Sequence, residues 1–390
     1  MIQNSKFKIQ NSFKHISGSK IEIRSRFRLN KKNLPLLYTP GVAKLSQEIA
    51  KNKKRVYGLT WKKNSVAIVS DGSAVLGLGN LGPEAALPVM EGKAVLFKGL
   101  ANVDAVPIIL ATQDTEKIIE TVKNIAPAFG GINLEDISAP RCFEIEKRLV
   151  RNLDIPVFHD DQHGTAIAVL AGLINSLKVV KKNMRNVRIV ISGAGAAGIA
   201  ITKLLLKFEA KNIIVFDSWG PICPRCAYNK NDAKAEIAKV TNKNNFRGDL
   251  REALRGADVF IGVSAKGLLK AVDVVKMNEK AIVFAMSNPT PEISYKEAKK
   301  GGATVMATGR SDFPNQINNA LVFPGIFRGA LDTRTKIISD KIKIKAAEAI
   351  ASLVKKPKSD KIVPGVLDRR VVKAVANVFE SQKSNVKTQK

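Results

Sequence analysis

A glycine-rich turn between two apolar runs constrains this chain more than any other feature. Residues 187–192 are rich in Val and Ile, and Gly193-Ala194-Gly195-Ala196-Ala197-Gly198 follows at once. A further apolar run, 213–216, ends in Asp217, nineteen residues after the last glycine of that turn. Glycines at this spacing permit a tight turn and let the backbone approach a pyrophosphate, and the acid can bind ribose hydroxyls. The pattern predicts a Rossmann-type βαβ unit that binds a dinucleotide.

The acid at the end of the second run bears on which dinucleotide binds. Asp217 would repel the 2′-phosphate of NADP, so the sequence favours NAD. Trp219 and the basic Arg225 lie close by in sequence and leave NADP possible.

Three further apolar runs predict the remaining strands of a doubly wound sheet, whose carboxyl ends face the ligand. The runs and the polar residues after them are 257–261, then 280–286 with Asn288, then 303–307 with Asn318 and Asn319.

Two adjacent acids and two of the three histidines fall within residues 158–165. The run 155–158 predicts a short buried strand, and 166–177 predicts a helix that starts at the preceding Gly-Thr pair. Asp160 and Asp161 would then lie at a strand-to-helix corner, where α/β enzymes place their chemistry. A loop with solvated acids and a helix cap would give the same pattern. The histidines could ligate zinc, although hydrogen bonds that fix the loop are the simpler role.

A second acid pair, Glu135-Asp136, follows a Gly-Gly turn and a short apolar piece. Each pair lies at the end of a short apolar strand, so Asp161 can join the other two acids as a third carboxylate. Carboxylate oxygens are the ligands that Mg²⁺ and Mn²⁺ prefer. The sequence predicts a divalent-cation site built from these three acids.

A second glycine pattern lies in the first half of the chain. Residues 65–70 predict a strand, Asp71-Gly72 a hairpin turn, and 73–76 the returning strand. The GxGxxG match at 77–82 follows this hairpin rather than the first strand of a βαβ unit. It therefore predicts an anion-binding loop at a helix start, not a second dinucleotide site.

Lys93 and Tyr38 are candidates for proton transfer. Lys93 lies among small and apolar residues of a predicted helix, where partial desolvation would lower its pKa toward that of a general base. An exposed helical lysine is the alternative. Tyr38 precedes a Pro40-Gly41 turn that could present its phenol, although a packed structural tyrosine would look the same.

The unusual feature of the composition is a net charge of +30 at pH 7. Such a surface attracts anions, but the lysines are spread along the chain without a zinc-finger, RNP or KH pattern, so nucleic acid is not the expected partner. No apolar run has membrane-spanning length, and residues 1–34 predict a basic arm without a secretory signal. We expect a cytoplasmic protein whose 390 residues form two domains.

The three cysteines are an odd number without framework spacing, which suits a reducing compartment. Cys223 and Cys226 form a lone CxxC, which offers too few ligands for a closed zinc site. A redox pair and an incidental surface loop both stay open as interpretations, and the surface loop is the simpler.

Together these motifs resemble the malic enzymes, most closely the shorter bacterial and archaeal form that lacks an acyltransferase domain. The match runs in unbroken order and comprises Tyr38-Thr-Pro-Gly, Gly77-Leu-Gly-Asn-Leu-Gly, Glu91-Gly-Lys93-Ala, Asn133-Leu-Glu135-Asp136, Phe158-His-Asp-Asp161-Gln-His-Gly-Thr, Gly193-Ala-Gly-Ala-Ala-Gly198, Ser287-Asn288-Pro and Asn318-Asn319. The resemblance implies an α/β malic-enzyme domain at 35–155, a doubly wound NAD(P)-binding domain of Rossmann type at 156–380, and a polar tail at 381–390.

The resemblance also implies a reaction: metal-dependent oxidative decarboxylation of L-malate to pyruvate and CO₂ with reduction of NAD or NADP. Oxaloacetate decarboxylation is a further possible activity. Lys93 would be the general base at the C2 hydroxyl, Tyr38 the general acid at C3, and Asp160 a supporting residue. Mg²⁺ or Mn²⁺ would be held by Glu135, Asp136 and Asp161.

The remaining implied contacts are amides: Asn288, Asn318 and Asn319 would bind substrate, and Asn288 also the coenzyme. A homodimer is the usual assembly of the family. Ala74 stands where larger members carry an arginine for a malate carboxylate, so that partner is unassigned. The segment 221–226 is unlike the usual sequence and leaves the coenzyme preference open.

Three rival functions are compatible with parts of the pattern. A relative on the same scaffold could turn malate to lactate without net redox. An amino-acid dehydrogenase would need no cation, so chelation would not stop it. A basic nucleic-acid or membrane-surface protein that retains the fold would show no turnover.

Overall fold

A computed structural model describes residues 18–224 and 232–387 of the chain, with side chains to residue 381. Arg225 and Cys226 lie outside the described residues, so the predictions that involve them stay predictions. Within the described ranges the chain builds two largely parallel sheets, each covered by helices on both faces.

The first sheet has four parallel strands in the order β2-β1-β3-β4. They are β1 (Ser65–Ser70), β2 (Asp104–Ile109), β3 (Gly131–Leu134) and β4 (Val157–His159). Its helices are α1 (Leu34–Leu37), α2 (Gly41–Lys51), α3 (Val56–Leu59), α4 (Pro83–Ala101), α5 (Thr115–Ile125) and α6 (Arg141–Asn152). Every residue of β1 is buried, as expected of a parallel strand covered on both faces.

The predicted hairpin after β1 is wrong. The strand pairs only with β2 and β3, both parallel, and residues 73–76 form turns rather than a returning strand. Asp71 is buried and pairs with Arg141 at 3.0 Å, so its role is tertiary rather than that of an exposed turn residue.

Strand β4 passes directly into the long helix α7 (Asp160–Val180). The helix begins earlier than predicted, so Asp160 and Asp161 occupy its first turn instead of a loop. Because parallel strands end at the same sheet edge, the residues that follow β3 and β4 come together there. Helix α7 is long and apolar enough to cross a membrane, but most of it is buried inside the protein.

The second sheet has the order β10-β9-β8-β5-β6-β7, with only β7 antiparallel to its neighbour. Its strands are β5 (Arg188–Ser192), β6 (Asn212–Asp217), β7 (Gly220–Pro221), β8 (Val259–Gly262), β9 (Ile282–Ala285) and β10 (Val305–Thr308). Its helices are α8 (Ala196–Lys207), α9 (Asp232–Ala238), α10 (Leu250–Ala253), α11 (Ala271–Val275), α12 (Tyr295–Lys300), α13 (Phe323–Thr333), α14 (Asp340–Ser352) and α15 (Arg370–Lys387). The doubly wound prediction is confirmed.

One hydrophobic core runs through both sheets. Buried side chains of β1, α4 and α7 belong to the same contact cluster as those of β5, β8 and β9. The domain boundary predicted at 155/156 falls just before β4, which is still a strand of the first sheet.

Candidate active site

The centre of the site is the ammonium of Lys93, which α4 places beside two carboxylates. Its Nζ ion-pairs with Glu135, just after β3, and with Asp160, at the start of α7. The side chain of Lys93 is only 6% exposed, and Nζ lies 4.4 Å from the ring centroid of Phe323. Sequence reasoning brought the lysine and the acids together correctly but missed the aromatic ring.

The three acids predicted to hold a cation do converge. Ligand oxygens of Glu135, Asp136 and Asp161 all lie within 4.8 Å of one another. The backbone N–H of Asp136 donates to Asp161 Oδ2 at 2.8 Å, which fixes the third acid against the first pair. Asp136 Oδ2 is buried and has no hydrogen-bond partner among the described residues. A crowded carboxylate set with an orphaned oxygen fits Mg²⁺ or Mn²⁺.

Burial and mutual repulsion make the ionised form of these acids costly. Desolvation, then repulsion from Asp161, raises the pKa of Glu135 to about 7 and that of Asp136 to about 9. Desolvation also raises the pKa of Asp161 to about 6 and that of Asp160 to about 7, against the opposing attraction of Lys93. A divalent cation would remove much of this cost, because it attracts the ionised forms.

The pKa of Lys93 moves in the direction opposite to the prediction. Desolvation does lower it, but the combined attraction of Asp160, Glu135 and Asp161 outweighs burial and raises it above the usual lysine value. How close three carboxylates lie to the ammonium depends on tertiary packing and could not be read from the sequence. A cation held by the acids would offset part of that attraction and lower the lysine pKa again.

These raised acid pKa values predict how cation affinity depends on pH. Folded-state values above the unfolded values of about 4 mean that the cation-free protein loses stability as pH rises through the range from 4 to 9. Cation binding releases the extra protons, so the affinity rises with pH. We expect the Mn²⁺-induced increase in melting temperature to be larger at pH 8 than at pH 6, measured by differential scanning fluorimetry against EDTA. An equal increase at both values would contradict the raised pKa values.

The loop after β1 covers the acid cluster. The backbone N–H of Leu76 reaches Asp136 Oδ1 at 3.3 Å, and that of Ala74 donates to the Asp136 carbonyl at 2.9 Å. A β-carbon built at Gly77 would lie 1.7 Å from the carbonyl oxygen of Asn288, so this loop rests directly on the polar turn after β9. The contact brings Asn288 of the second sheet to the edge of the cluster in the first.

The predicted amides differ in position. A β-carbon at Gly164 would lie 1.8 Å from Asp160 Oδ1 and 3.1 Å from Asn319 Cβ, so Asn319 is a neighbour of Asp160. Asn318 instead uses its side-chain oxygen to accept from the backbone N–H of Ala320 at 2.8 Å, capping a short 3₁₀ turn. Of these two amides, Asn319 is therefore the one that lies beside Asp160.

The glycine-rich turn has the geometry that a dinucleotide needs. A β-carbon at Gly198 would lie 1.7 Å from the Gly193 carbonyl oxygen, whereas one at Gly195 would meet nothing within 4 Å. The absence of a side chain at Gly198 lets the turn close against the start of α8. Gly195 leaves open space in front of the turn. Asp217 is the last residue of β6. Its carboxylate accepts a hydrogen bond from the Trp219 backbone N–H at 2.8 Å and pairs with the Lys234 ammonium at 2.7 Å.

Two family models match the chain. One describes the N-terminal domain of malic enzyme and matches residues 19–116 and 110–150, and the other describes the NAD-binding domain of malic enzyme and matches residues 162–380. The chain belongs to the malic-enzyme family.

Known malic enzymes match nearly the whole chain. The NAD-dependent malic enzyme of Geobacillus stearothermophilus is 57% identical over 93% of this chain and 76% of its own length. The bifunctional malic/malolactic enzyme of Bacillus subtilis is 54% identical over 92% of this chain and 87% of its own. The crystal structure of NAD-dependent malic enzyme from Thermotoga maritima superposes with a TM-score of 0.90 at 45% identity, covering 95% and 98% of the two chains. The resemblance stated from the sequence is confirmed.

One predicted residue of this malic enzyme stands apart from the rest of the site. Tyr38 follows α1 and is 66% exposed, and among the described residues its phenol makes no hydrogen bond to the acid cluster. Helices α1 and α2 contain no buried residue. The structure of this single chain thus brings Lys93 to the acids but leaves the candidate general acid on the surface.

Sequence reasoning also missed a buried glutamate of this malic enzyme. Glu146, on α6, accepts hydrogen bonds from His163 and from the backbone N–H of His159, both at 2.8 Å. The imidazole of His159 itself is fully buried with no hydrogen-bond partner among the described residues. The prediction that the histidines fix this segment by hydrogen bonds therefore applies to the side chain of His163 only.

Proposed function

We propose that the chain catalyses the oxidative decarboxylation of L-malate to pyruvate and CO₂, with NAD as the preferred hydride acceptor and Mg²⁺ or Mn²⁺ as cofactor. The observation that carries the proposal is the buried Lys93 ammonium between Asp160 and the cation-binding acid Glu135. A 2-hydroxy acid that loses a hydride and then CO₂ needs a base, an acid and an electrophile in one site.

Lys93 acts as the base in this proposal. It does so as the neutral amine, which a cation on the neighbouring acids would favour by offsetting their attraction. The amine Nζ removes the proton from the C2 hydroxyl while the C2 hydride leaves for the nicotinamide. Asp160 stays paired with Lys93 and stabilises the ammonium that forms. The Phe323 ring below Nζ excludes water from that side and keeps the ammonium directed at the substrate.

The cation would be held by Glu135, Asp136 and Asp161. When bound it supplies Lewis-acid polarisation of the substrate oxygen at C2, which favours both oxidation and the later loss of CO₂. Asn319 beside Asp160 and Asn288 beside the loop after β1 orient the substrate, with Asn318 a more distant neighbour. After CO₂ departs, the proton at C3 is assigned to Tyr38.

A homodimer in the cytoplasm is part of the same proposal. Tyr38 is exposed, and the helices on either side of it, α1 and α2, bury no residue in the single chain. Assembly of the dimer, or a movement of the segment that contains α1 and α2, must therefore bring the phenol to the site. Sedimentation of the purified protein tests the dimer.

The deciding experiment is nicotinamide reduction at 340 nm with L-malate, with and without Mn²⁺. Cation-dependent reduction with pyruvate as product supports the proposal. Folded protein that reduces neither NAD nor NADP with Mn²⁺ present would overturn it. Chelation also separates this reaction from that of an amino-acid dehydrogenase, which needs no cation.

A malolactic reaction is the second candidate, because the Bacillus subtilis relative at 54% identity is named a bifunctional malic/malolactic enzyme. Here the reduced coenzyme would return its hydride to pyruvate before leaving. Lactate formation with only catalytic amounts of NAD, and without net absorbance at 340 nm, distinguishes it. Oxaloacetate decarboxylation without coenzyme is tested in the same series.

Asp217→Asn is expected to shift coenzyme preference toward NADP. The carboxylate would repel a 2′-phosphate and would accept hydrogen bonds from the ribose hydroxyls of NAD, so its loss favours NADP and disfavours NAD. A hydrogen bond to a charged group contributes about 1.5–3 kcal/mol, so we expect the NADP-to-NAD ratio of kcat/KM to rise about 10–100-fold. Glu209→Gln, at an exposed acid in the turn before β6 that pairs with Arg185, is the control and should leave the ratio unchanged. An unchanged ratio in the Asp217 variant would remove this residue from coenzyme selection.

A further inference from the structure

Glu146 makes a set of contacts that no step of the proposed reaction uses. Its carboxylate lies on α6 and is almost fully buried. It accepts from the His159 backbone N–H at 2.8 Å, from Gln162 Nε2 at 3.2 Å and from His163 Nε2 at 2.8 Å. The three donors flank Asp160 and Asp161 on both sides in the chain.

The start of α7 needs such an external partner. A helix N-terminus exposes backbone N–H groups, and His159 at the N-cap makes no side-chain capping bond of its own. No loop separates β4 from α7. The direction of the first helical turn therefore depends on the hydrogen bonds that its first residues make with other elements. The Glu146 carboxylate satisfies one of these N–H groups, and its negative charge is favourable at the positive end of the helix.

The two acids in this turn are anchored against a mutual repulsion. Asp160 pairs with Lys93, and Asp161 accepts the backbone N–H of Asp136. Neighbouring carboxylates in a buried site nevertheless repel each other, which works against both anchors. The flanking bonds to Glu146 add a further restraint from the side of α6.

A second helix extends the network. Lys343 on α14 lies with Nζ 3.2 Å from His163 Nδ1, closer than the 3.5 Å to Nε2. A lysine ammonium can only donate, so Nδ1 is the acceptor and the ring proton sits on Nε2, where it donates to Glu146. The relay joins α14, α7 and α6 through one neutral imidazole.

From this geometry we propose that Glu146 is a positioning residue for the proposed reaction: it holds the first turn of α7 so that Asp160 meets Lys93 and Asp161 meets the cation. The inference rests on the cation site of the proposed function. It assigns Glu146 no contact with substrate or coenzyme.

The test compares Glu146→Gln with Glu144→Gln, a matched change two residues earlier on α6. The side chain of Glu144 is 59% exposed and pairs with Arg148 on the same helix. The Kd for Mn²⁺ is measured by electron paramagnetic resonance without malate or coenzyme. Losing a direct partner of a ligand weakens metal binding about 10–100-fold. Glu146 acts on the neighbours of Asp161 in the chain, so we expect Glu146→Gln to raise the Kd toward the lower end, about 10-fold, and Glu144→Gln to leave it unchanged. The kcat for malate oxidation should also fall, because the contact between Asp160 and Lys93 is weakened.

A loss of stability alone would not move the Kd. Val274→Ala, on α11 in a separate core cluster of the second sheet, lowers the melting temperature without touching the network and should retain the wild-type Kd. If Glu146→Gln melts earlier but binds Mn²⁺ as the wild type does, the positioning role is wrong. If Glu146→Gln does not fold, Gln162→Met removes one donor and should raise the Kd by a smaller factor; an unchanged Kd overturns the role.

A crystal structure gives a readout that does not depend on the cation. In Glu146→Gln the Asp160 carboxylate should move away from Lys93, whereas unchanged positions of both acids overturn the inference. Wild-type protein that binds no Mn²⁺ would overturn the proposed cation site, and the crystal structures would still decide the role of Glu146.

Discussion

Lys93→Ala is expected to lower kcat for malate-dependent NAD reduction by about 10²–10⁴-fold, the usual contribution of a positioned acid or base. The variant removes the only ammonium that contacts both Glu135 and Asp160 among the described residues. The coenzyme turn after β5 is not touched, so NAD affinity by fluorescence titration should be unchanged. Steady-state kinetics with saturating Mn²⁺ measures the loss.

Lys98→Ala is the matched control for this change. Lys98 lies on the same helix, α4, but its side chain is 59% exposed and pairs with Asp104. Its kcat should stay close to that of the wild type. A Lys93 variant that keeps more than about a tenth of wild-type kcat would show that another group takes the C2 proton.

Asp161→Asn is expected to have two effects of opposite sign. The carboxylate is one of three that would hold the cation, and Lewis-acid stabilisation of several kcal/mol corresponds to a loss of at least about 10²-fold in kcat/KM. The isosteric amide can still accept the Asp136 backbone N–H. In EDTA, however, the variant should melt at a temperature equal to or higher than that of the wild type, because one of the mutually repelling charges is gone.

The opposite signs make this prediction easy to test. A variant that is merely misfolded would lose activity and stability together. Asp154→Asn, at a fully exposed acid that pairs with Lys336, controls for removing any negative charge from so basic a protein. If Asp161→Asn retains Mn²⁺-dependent activity near the wild-type level, the cation is held elsewhere.

The second sheet was predictable because its signals are local. The run 187–192 became β5 (Arg188–Ser192), and 213–216 became β6 (Asn212–Asp217), each bounded by the glycines or acid that the fingerprint requires. The glycine pattern, the helix that follows and the acid all lie within about thirty residues, the span of one βαβ unit. No long-range contact had to be guessed.

The errors in the first sheet arose where one stretch of sequence is compatible both with a local turn and with a long-range contact. Asp71-Gly72 has the composition of a hairpin turn, but Asp71 is buried because Arg141, seventy residues away, pairs with it. The predicted partner of β1 was residues 73–76, which follow the turn directly. The strand pairs instead with β2 and β3, which lie further along the chain. A turn dipeptide does not reveal which of these two situations holds.

The candidate site was predicted as far as its residues follow strand ends. The acids were found because each pair closes an apolar run and adjacent parallel strands end at one edge. Phe323 and Glu146 were missed because each lies on a helix and reaches the site only after that helix has packed. The signal for Glu146 was present as an acid on the buried face of an amphipathic helix, beside Ile145 and Leu149.

The continuous core has a consequence for how this enzyme can change over time. Helix α7 begins at the acid pair and then packs against α8 and α14 of the coenzyme half, so the edge with the acid cluster and the nucleotide-binding sheet share one helix. A chain cut between the two sheets would leave each half with an open apolar face. The two halves are therefore not interchangeable modules. A coenzyme domain from another family could be grafted only together with the interior of the substrate domain, and substitutions in the shared core must be compatible with both halves.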